Sequence, residues 1–219
     1  MSGKLKHRVG LIDDDAAFRE SFRLAMKTLG YDFVGFSNAQ EFFATFEPKK
    51  VFALVIDINL PGMNGLELQE ILHTRKTAIP VIMISGKVDV TKAVHAMKNG
   101  ALNVLEKPFD LDDLKEQLQS AYELYSTWQK VEQERQEVAE RIARMTRRER
   151  EVFGLMADGM KNQMIARHLG ISRKTLDIHR TKVVDKMKAR TWADIARWRM
   201  LHESGPGGTI TIKPGGFMP

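Results

Sequence analysis

Apolar residues run without a break through Val51, Phe52, Ala53, Leu54, Val55 and Ile56 and stop at a single carboxylate, Asp57. A short run with no alternation fits a strand buried on both faces, as in a parallel sheet covered by helices. Further short apolar segments at 8–12, 32–36, 79–84 and 102–105 are strand candidates. Between them the spacing changes. Apolar residues at 18, 22, 25, 26 and 29 predict a helix over 16–29, closed by Gly30. Ser37 or Asn38 can cap a helix running through 46. Further helices are expected from 65 to about 73, over 88–98 ahead of Asn99-Gly100, and onward from 111.

Strands alternating with helices imply a parallel sheet with right-handed crossovers and helices on both faces. The strand ends then share one edge, the edge where ligands gather in such sheets. Asp13-Asp14, Asp57, Ser85 and Lys107 each follow a strand candidate.

From 111 to 145 there is neither Pro nor Gly. Leu111, Leu114, Leu118, Ala121, Tyr125 and Trp128 recur at steps of three and four, the spacing of a coiled-coil seam or of a helix packed on a sheet. The stretch as far as about residue 122 reads as the last helix of the sheet domain. The charged segment 129–141 reads as a solvated helical linker, with Val131, Val138, Ile142 and Met145 as an alternative, shifted stripe. Beyond it, Thr146 and Glu149 have the spacing of a capping box. The helix they open carries Val152, Phe153, Leu155 and Met156 and stops at Asp158-Gly159. A second helix is expected over 161–169, closed by Gly170. A turn at 171–175 leads into a basic helix to about residue 187, and a final helix covers 191–202. Two short helices and a tight turn before a basic helix describe a helix-turn-helix, whose second helix enters the major groove of DNA.

Charge sharpens this division. Residues 1–125 hold 15 Lys and Arg against 17 Asp and Glu, a net of −2; residues 126–219 hold 19 against 11, a net of +8. Residues 145–203 alone hold 14 against 7, which suits contact with phosphates. The chain has no cysteine, so disulfides and Cys-ligated metals are excluded. No apolar run approaches the roughly 18 residues of a membrane span, and the basic N-terminus lacks the apolar region of a signal peptide. A cytoplasmic protein with no membrane partner is expected.

Three carboxylates packed together repel one another and invite a divalent cation, and hard oxygen ligands favour Mg²⁺. A carboxylate beside Mg²⁺ can act as nucleophile toward a phosphoryl group, whose oxygens the Lys107 ammonium and the Ser85 hydroxyl can hold. Taken singly, Asp57 and Ser85 read as caps and Lys107 as the partner of an acid. Their joint placement at strand ends favours a shared site.

Ile12-Asp13-Asp14, Asp57 with Leu60-Pro61-Gly62-Met63-Asn64-Gly65, Ile84-Ser85-Gly86 and Glu106-Lys107-Pro108-Phe109 together resemble the receiver domain of two-component response regulators. Met145-Thr146-Arg147-Arg148-Glu149, Asn162-Gln163, Leu169-Gly170-Ile171-Ser172, Thr175-Leu176 and His179-Arg180 resemble the LuxR-type helix-turn-helix. In this order they make the chain similar to response regulators of the FixJ/NarL type. The resemblance implies an α/β flavodoxin-like receiver with strand order 2-1-3-4-5 over 6–124. A helical linker over 125–144, a small four-helix helix-turn-helix domain over 145–203 and a disordered tail over 204–219 complete the expected organisation.

By the same resemblance, Asp57 accepts phosphate from a sensor histidine kinase. Asp13, Asp14, Asp57 and the backbone carbonyl of Asn59 hold Mg²⁺, and Ser85 and Lys107 coordinate the phosphoryl group. The Lys107-Pro108 bond is commonly cis in the family. Asp177, Ile178 and Thr181 face base edges of promoter DNA, while Asn162, Lys174, Thr175 and Lys182 make phosphate or positioning contacts. Glu149 and His179 are expected to be structural. The helix carrying Trp192 to Met200 resembles the one through which such domains pair, so a homodimer is expected at least in the phosphorylated state, with RNA polymerase as a further partner. The pattern departs at Val104, where the family usually has Tyr or Phe, and the usual coupling of phosphate to output is expected to weaken.

Two rival functions remain. An Mg²⁺-dependent aspartyl-phosphate phosphatase would want a second acid two residues after the nucleophile, where Asn59 stands. A receiver acting through protein contacts alone, without phosphate, would have no need of the complete acid set.

Overall fold

The computed structural model describes residues 7–47, 51–75, 77–87 and 89–203. The chain forms two compact units, one through Trp128 and one from Gln129.

The first unit alternates strands and helices: β1 (Arg8–Ile12), α1 (Ala16–Leu29), β2 (Asp32–Phe36), α2 (Ala39–Thr45), β3 (Ala53–Asp57), α3 (Gly65–Thr74), β4 (Val81–Ser85), α4 (Val90–Lys98) and β5 (Asn103–Glu106), followed by the long helix α5 (Leu111–Ala143). The strands form one parallel sheet in the order β2-β1-β3-β4-β5, the flavodoxin-like arrangement expected from the resemblance.

The unbroken apolar runs now have their cause. Val9 and Leu11, Ala53 and Val55, and Ile82 and Ile84 enter a core with Phe22 and Met26 of α1 and Leu114, Leu118 and Ala121 of α5. Their neighbours Leu54, Ile56, Val81 and Met83 enter a second core with Phe42 of α2, Leu68 and Leu72 of α3 and Ala96 of α4. Successive side chains point to opposite faces of a strand, and here both faces are dry. The spacing of Leu114, Leu118 and Ala121 is thus that of a helix packed on a sheet; Leu111, at the head of the same series, is 40% exposed.

Local chemistry sets the helix ends. The Asp15 side chain accepts hydrogen bonds from the amides of Ala17 and Phe18 at the start of α1, and Gly30 closes that helix at φ 81°. Asn38 caps α2, and Asn64 with Glu67 forms a capping box on α3. α4 begins at Val90 behind Asp89 as cap, two residues later than expected, and Val88 lies outside the described residues. β3 and β4 also begin two residues later than their apolar runs: Val51, Phe52 and Ile79 are buried without belonging to a strand.

The second unit contains the end of α5 with α6 (Arg147–Ala157), α7 (Asn162–Leu169), α8 (Arg173–Met187) and α9 (Trp192–Glu203). The capping box of Thr146 and Glu149 is formed, Gly170 closes α7 at φ 63°, and Ser172 caps α8. The expectation of a solvated linker over 129–141 needs correction. Val138 is fully buried, and it joins Ile142 and Met145 in one core with Val152, Phe153, Met156, Ile165, Leu176, Val183, Met187, Ile195 and Trp198. Of the shifted stripe, Val138, Ile142 and Met145 pack while Val131 stays half-buried outside that core, because apolar residues four and seven apart share a helix face even when charges lie between them.

Candidate functional site

β1, β3, β4 and β5 end side by side, so the residues that follow them converge. Asp13 lies directly after β1, Asp57 ends β3, Ser85 ends β4 and Lys107 follows β5. Asp13 and Ser85 are fully buried, Asp57 is 7% exposed and Asp14 is open to solvent. The Lys107 ammonium donates to Asp13 Oδ2 at 2.6 Å and to Asp57 Oδ2 at 2.5 Å. It also stands 4.0 Å above the ring of Phe18, a cation–π contact. The Lys107-Pro108 peptide bond is cis.

Backbone geometry holds the loop after β3 close to the pocket. The Asn59 amide donates to Asp57 Oδ1 at 2.8 Å, and the Gly65 amide donates to the Ile58 carbonyl at 3.0 Å. A β-carbon at Gly65 would fall 2.0 Å from the Asp57 carbonyl oxygen, so only glycine allows α3 to start this close to the site.

Charge in the pocket is unbalanced: three carboxylates face one ammonium. Burial pushes the Asp13 carboxyl above its ordinary value, despite the hydrogen bonds from Lys107 and from the Asp15 amide. For Lys107 burial acts downward, but the hydrogen bonds to Asp13 and Asp57 outweigh it and hold the ammonium above its ordinary value. One carboxylate oxygen from each of Asp13, Asp14 and Asp57 lies within 4.8 Å of the others. Hard oxygen donors, an excess of negative charge and one solvent-facing acid together fit a divalent cation that keeps some of its water.

The Ser85 hydroxyl donates to the Lys87 carbonyl at 2.9 Å and accepts from Asn59 Nδ2 at 3.2 Å. Asn59 Oδ1 in turn accepts from the Lys92 ammonium of α4 at 3.2 Å. The sequence does not single out Lys92, and it marks the Asn59 side chain only as standing where a phosphatase would carry an acid. No local pattern ties residue 92 to residue 59, and only the fold brings α4 to this loop. Val104 pairs in register with Met83 and packs, half-buried, in the core that includes Ala96 of α4.

In the second unit, α8 buries Leu176, Val183 and Met187 and exposes Lys174, Asp177, Ile178, Thr181 and Lys182. Ile178 is 51% exposed. Asp177 lies 3.8 Å from Arg180, and Thr181 Oγ1 donates to the Asp177 carbonyl at 3.0 Å. Thr175 is half-buried, with its hydroxyl 2.8 Å from that of Ser172 in the cap. Asn162, half-buried, is the first residue of α7. Glu149 is 3% exposed and bonded to Lys186 at 2.6 Å. His179 is half-buried, while Trp192 is 43% and Met200 70% exposed.

A parallel five-stranded sheet with an acid pocket at its strand ends, joined to a helix-turn-helix unit, is the make-up of a DNA-binding response regulator. The family model for the response regulator receiver domain matches residues 9–119, and that for bacterial regulatory proteins of the luxR family matches residues 143–199. The chain belongs to the response regulators of this two-domain kind, transcription regulators with a receiver domain and a LuxR-type DNA-binding domain. It is 34% identical to the transcriptional regulatory protein FixJ of Bradyrhizobium diazoefficiens over 89% of this chain and 95% of that one. Among solved structures it resembles the response regulator StyR at 30% identity and a TM-score of 0.74, over 89% of this chain and 98% of that one. Full-length FixJ from B. japonicum matches at 33% identity and a TM-score of 0.53, over 90% of this chain and 98% of that one. No helix among the described residues is long and apolar enough to cross a membrane.

Proposed function

We propose that Asp57 accepts a phosphoryl group from a sensor histidine kinase and that this state favours a homodimer bound to promoter DNA, where it meets RNA polymerase, in the cytoplasm. The observation that carries the reading is Lys107 bridging Asp13 and Asp57 at 2.6 and 2.5 Å in a pocket holding three carboxylates.

In the transfer, a carboxylate oxygen of Asp57 forms a bond to phosphorus as the bond from phosphorus to the kinase imidazole breaks, and the imidazole leaves with a proton from solvent. Lys107 already donates to Asp57 Oδ2 and could reach an oxygen of a phosphoryl group on that carboxylate, and the Ser85 hydroxyl needs only to exchange the Lys87 carbonyl for a phosphoryl oxygen. Asp13, Asp14, Asp57 and the Asn59 carbonyl would hold Mg²⁺, which when bound neutralises charge on the transferring oxygens. Asn59 supplies an amide where an aspartyl-phosphate phosphatase would need a general acid or base.

We assign the receiver to residues 6–124 and the DNA-binding domain to 145–203, with the helix between them lending Val138 and Ile142 to the core of the second unit. In that domain Asp177, Ile178 and Thr181 would meet bases, and Asn162, Lys174, Thr175 and Lys182 phosphates or the register of the helix. Val104 has no ring to follow the Ser85 hydroxyl, so some dimer and some DNA binding are expected without phosphate. Incubation with acetyl phosphate and Mg²⁺, followed by intact mass, tests the assignment: the wild-type chain should gain one phosphoryl group and Asp57→Asn none. Equal incorporation in the variant would refute it.

A further inference from the structure

The exposed face of α8 has a composition that decides what it can read. Lys174, Asp177, Ile178, Thr181 and Lys182 are spaced as one stripe opposite the buried Leu176, Val183 and Met187. Along the axis the two lysines flank Asp177, Ile178 and Thr181, which fill the middle between them, and the exposed Asp185 follows one turn later on the same face. When such a helix lies in the major groove, long cationic side chains at the ends reach the phosphates, while the middle meets base edges.

That middle offers no hydrogen-bond donor. Asp177 as a carboxylate only accepts, and Ile178 is apolar. Thr181 has one hydroxyl proton, and it is directed to the Asp177 carbonyl at 3.0 Å. Guanine presents only acceptors, N7 and O6, in the major groove and is read by donors. Adenine sets an acceptor, N7, beside its amino group, which opposes a carboxylate. What remains is the thymine C5-methyl group, for apolar contact, and the cytosine N4 amino group, for the carboxylate. A single exposed aliphatic residue is ordinary on a protein surface. Ile178, 51% exposed in the middle of this stripe and one turn from a threonine whose hydroxyl is turned to the backbone, is better placed than most.

We propose that the second domain selects its DNA by pyrimidine edges: thymine methyl groups pack on Ile178 and the Thr181 methyl, and a cytosine amino group bonds to Asp177. The inference rests on the DNA-binding reading of this domain. The test uses the full-length chain, treated with acetyl phosphate and Mg²⁺, to select duplexes from a random pool. In the selected site each thymine is then replaced singly by uracil, which lacks only the methyl group, and by 5-bromouracil, whose bromine fills the same space. At one position or more, uracil should weaken binding about three- to fivefold, the effect of one buried methyl group, and 5-bromouracil should restore it. Ile178→Ala, exposed and remote from the core, should retain its melting temperature and lose the uracil penalty at the position where Ile178 packs, keeping at most the share that the Thr181 methyl carries. Uracil tolerated within twofold at every position, or full sensitivity to it in Ile178→Ala, overturns the inference while leaving DNA binding intact. Failure to select any sequence would overturn the DNA-binding reading itself, and this inference with it.

Discussion

Lys107 lies 2.6 Å from Asp13 in the first unit, and Lys186 lies 2.6 Å from Glu149 in the second. Both carboxylates are buried, yet their acidities move in opposite directions. Glu149 is held at about 2 by the hydrogen bond from Lys186, with the Thr146 amide and hydroxyl assisting. Asp13 is pushed above its ordinary value because burial outweighs Lys107. The difference begins with burial: desolvation is the largest influence on Asp13, whereas the hydrogen bond from Lys186 is the largest on Glu149. Lys186 bonds one carboxylate, Glu149, and the neutral Arg144 carbonyl at 3.0 Å, whereas Lys107 is divided between the carboxylates of Asp13 and Asp57, with Asp14 close by. A buried charge that is fully matched fixes structure; one that is under-matched has capacity left for a ligand. The comparison separates a matched carboxylate from under-matched ones without appeal to the family.

The largest effect expected from this contrast is on the second unit. Glu149→Gln should lower its unfolding free energy by roughly 1.5–3 kcal/mol, the range for hydrogen bonds to charged groups. Urea unfolding of the full chain measures this, and a loss below about 0.5 kcal/mol would erase the contrast. The pH dependence follows with a fixed sign. A carboxyl at about 2 in the folded chain and 4.5 otherwise stabilises the fold fully above 4.5. That contribution is lost as pH falls from 4.5 toward 2. Melting temperatures across this range should show the loss in the wild type and a shallower slope in Glu149→Gln.

Smaller effects are expected in the first unit. Mg²⁺ at ten times its dissociation constant should raise the stability of the wild-type chain by about 1.4 kcal/mol, and chelation should remove the gain. Asp13→Asn should lose this response while keeping the metal-free stability within about 1 kcal/mol of wild type, or above it, since it removes a charge that burial penalises. A metal-free loss beyond about 2 kcal/mol would mean that the pocket is matched after all. The smallest change should come from Arg197→Ala. Its bond to Glu134 is 2.5 Å long but exposed, with 61% and 33% of the two side chains accessible. Such pairs contribute about 0–1 kcal/mol, so unfolding should barely shift and distance alone should prove a poor guide.

Much of both units was readable along the chain. The unbroken run before Asp57 signals a strand dry on both faces, and the alternation of strands and helices by itself brings Asp13, Asp57, Ser85 and Lys107 to one edge. Gly30, Asn38 and the Thr146–Glu149 pair marked helix ends because caps are made within a few residues of chain. The strands begin two residues after the apolar runs at 51 and 79, since burial and ladder pairing are different conditions and sequence reports only the first.

What sequence by itself determined, then, was whatever depends on neighbours along the chain: periodicity, caps, the order of elements, and the family motifs that name the acid pocket. Tertiary structure alone decided which long-range partner each group meets. It placed Lys186 on Glu149, Lys92 on Asn59, and Val138 in a core although charged residues surround it in the chain. It also decided that Lys107 serves two carboxylates while Lys186 serves one. The reason is physical: the free energy of a buried charge depends on how many partners share its small desolvated volume, and that number exists only once the strands have brought their ends together.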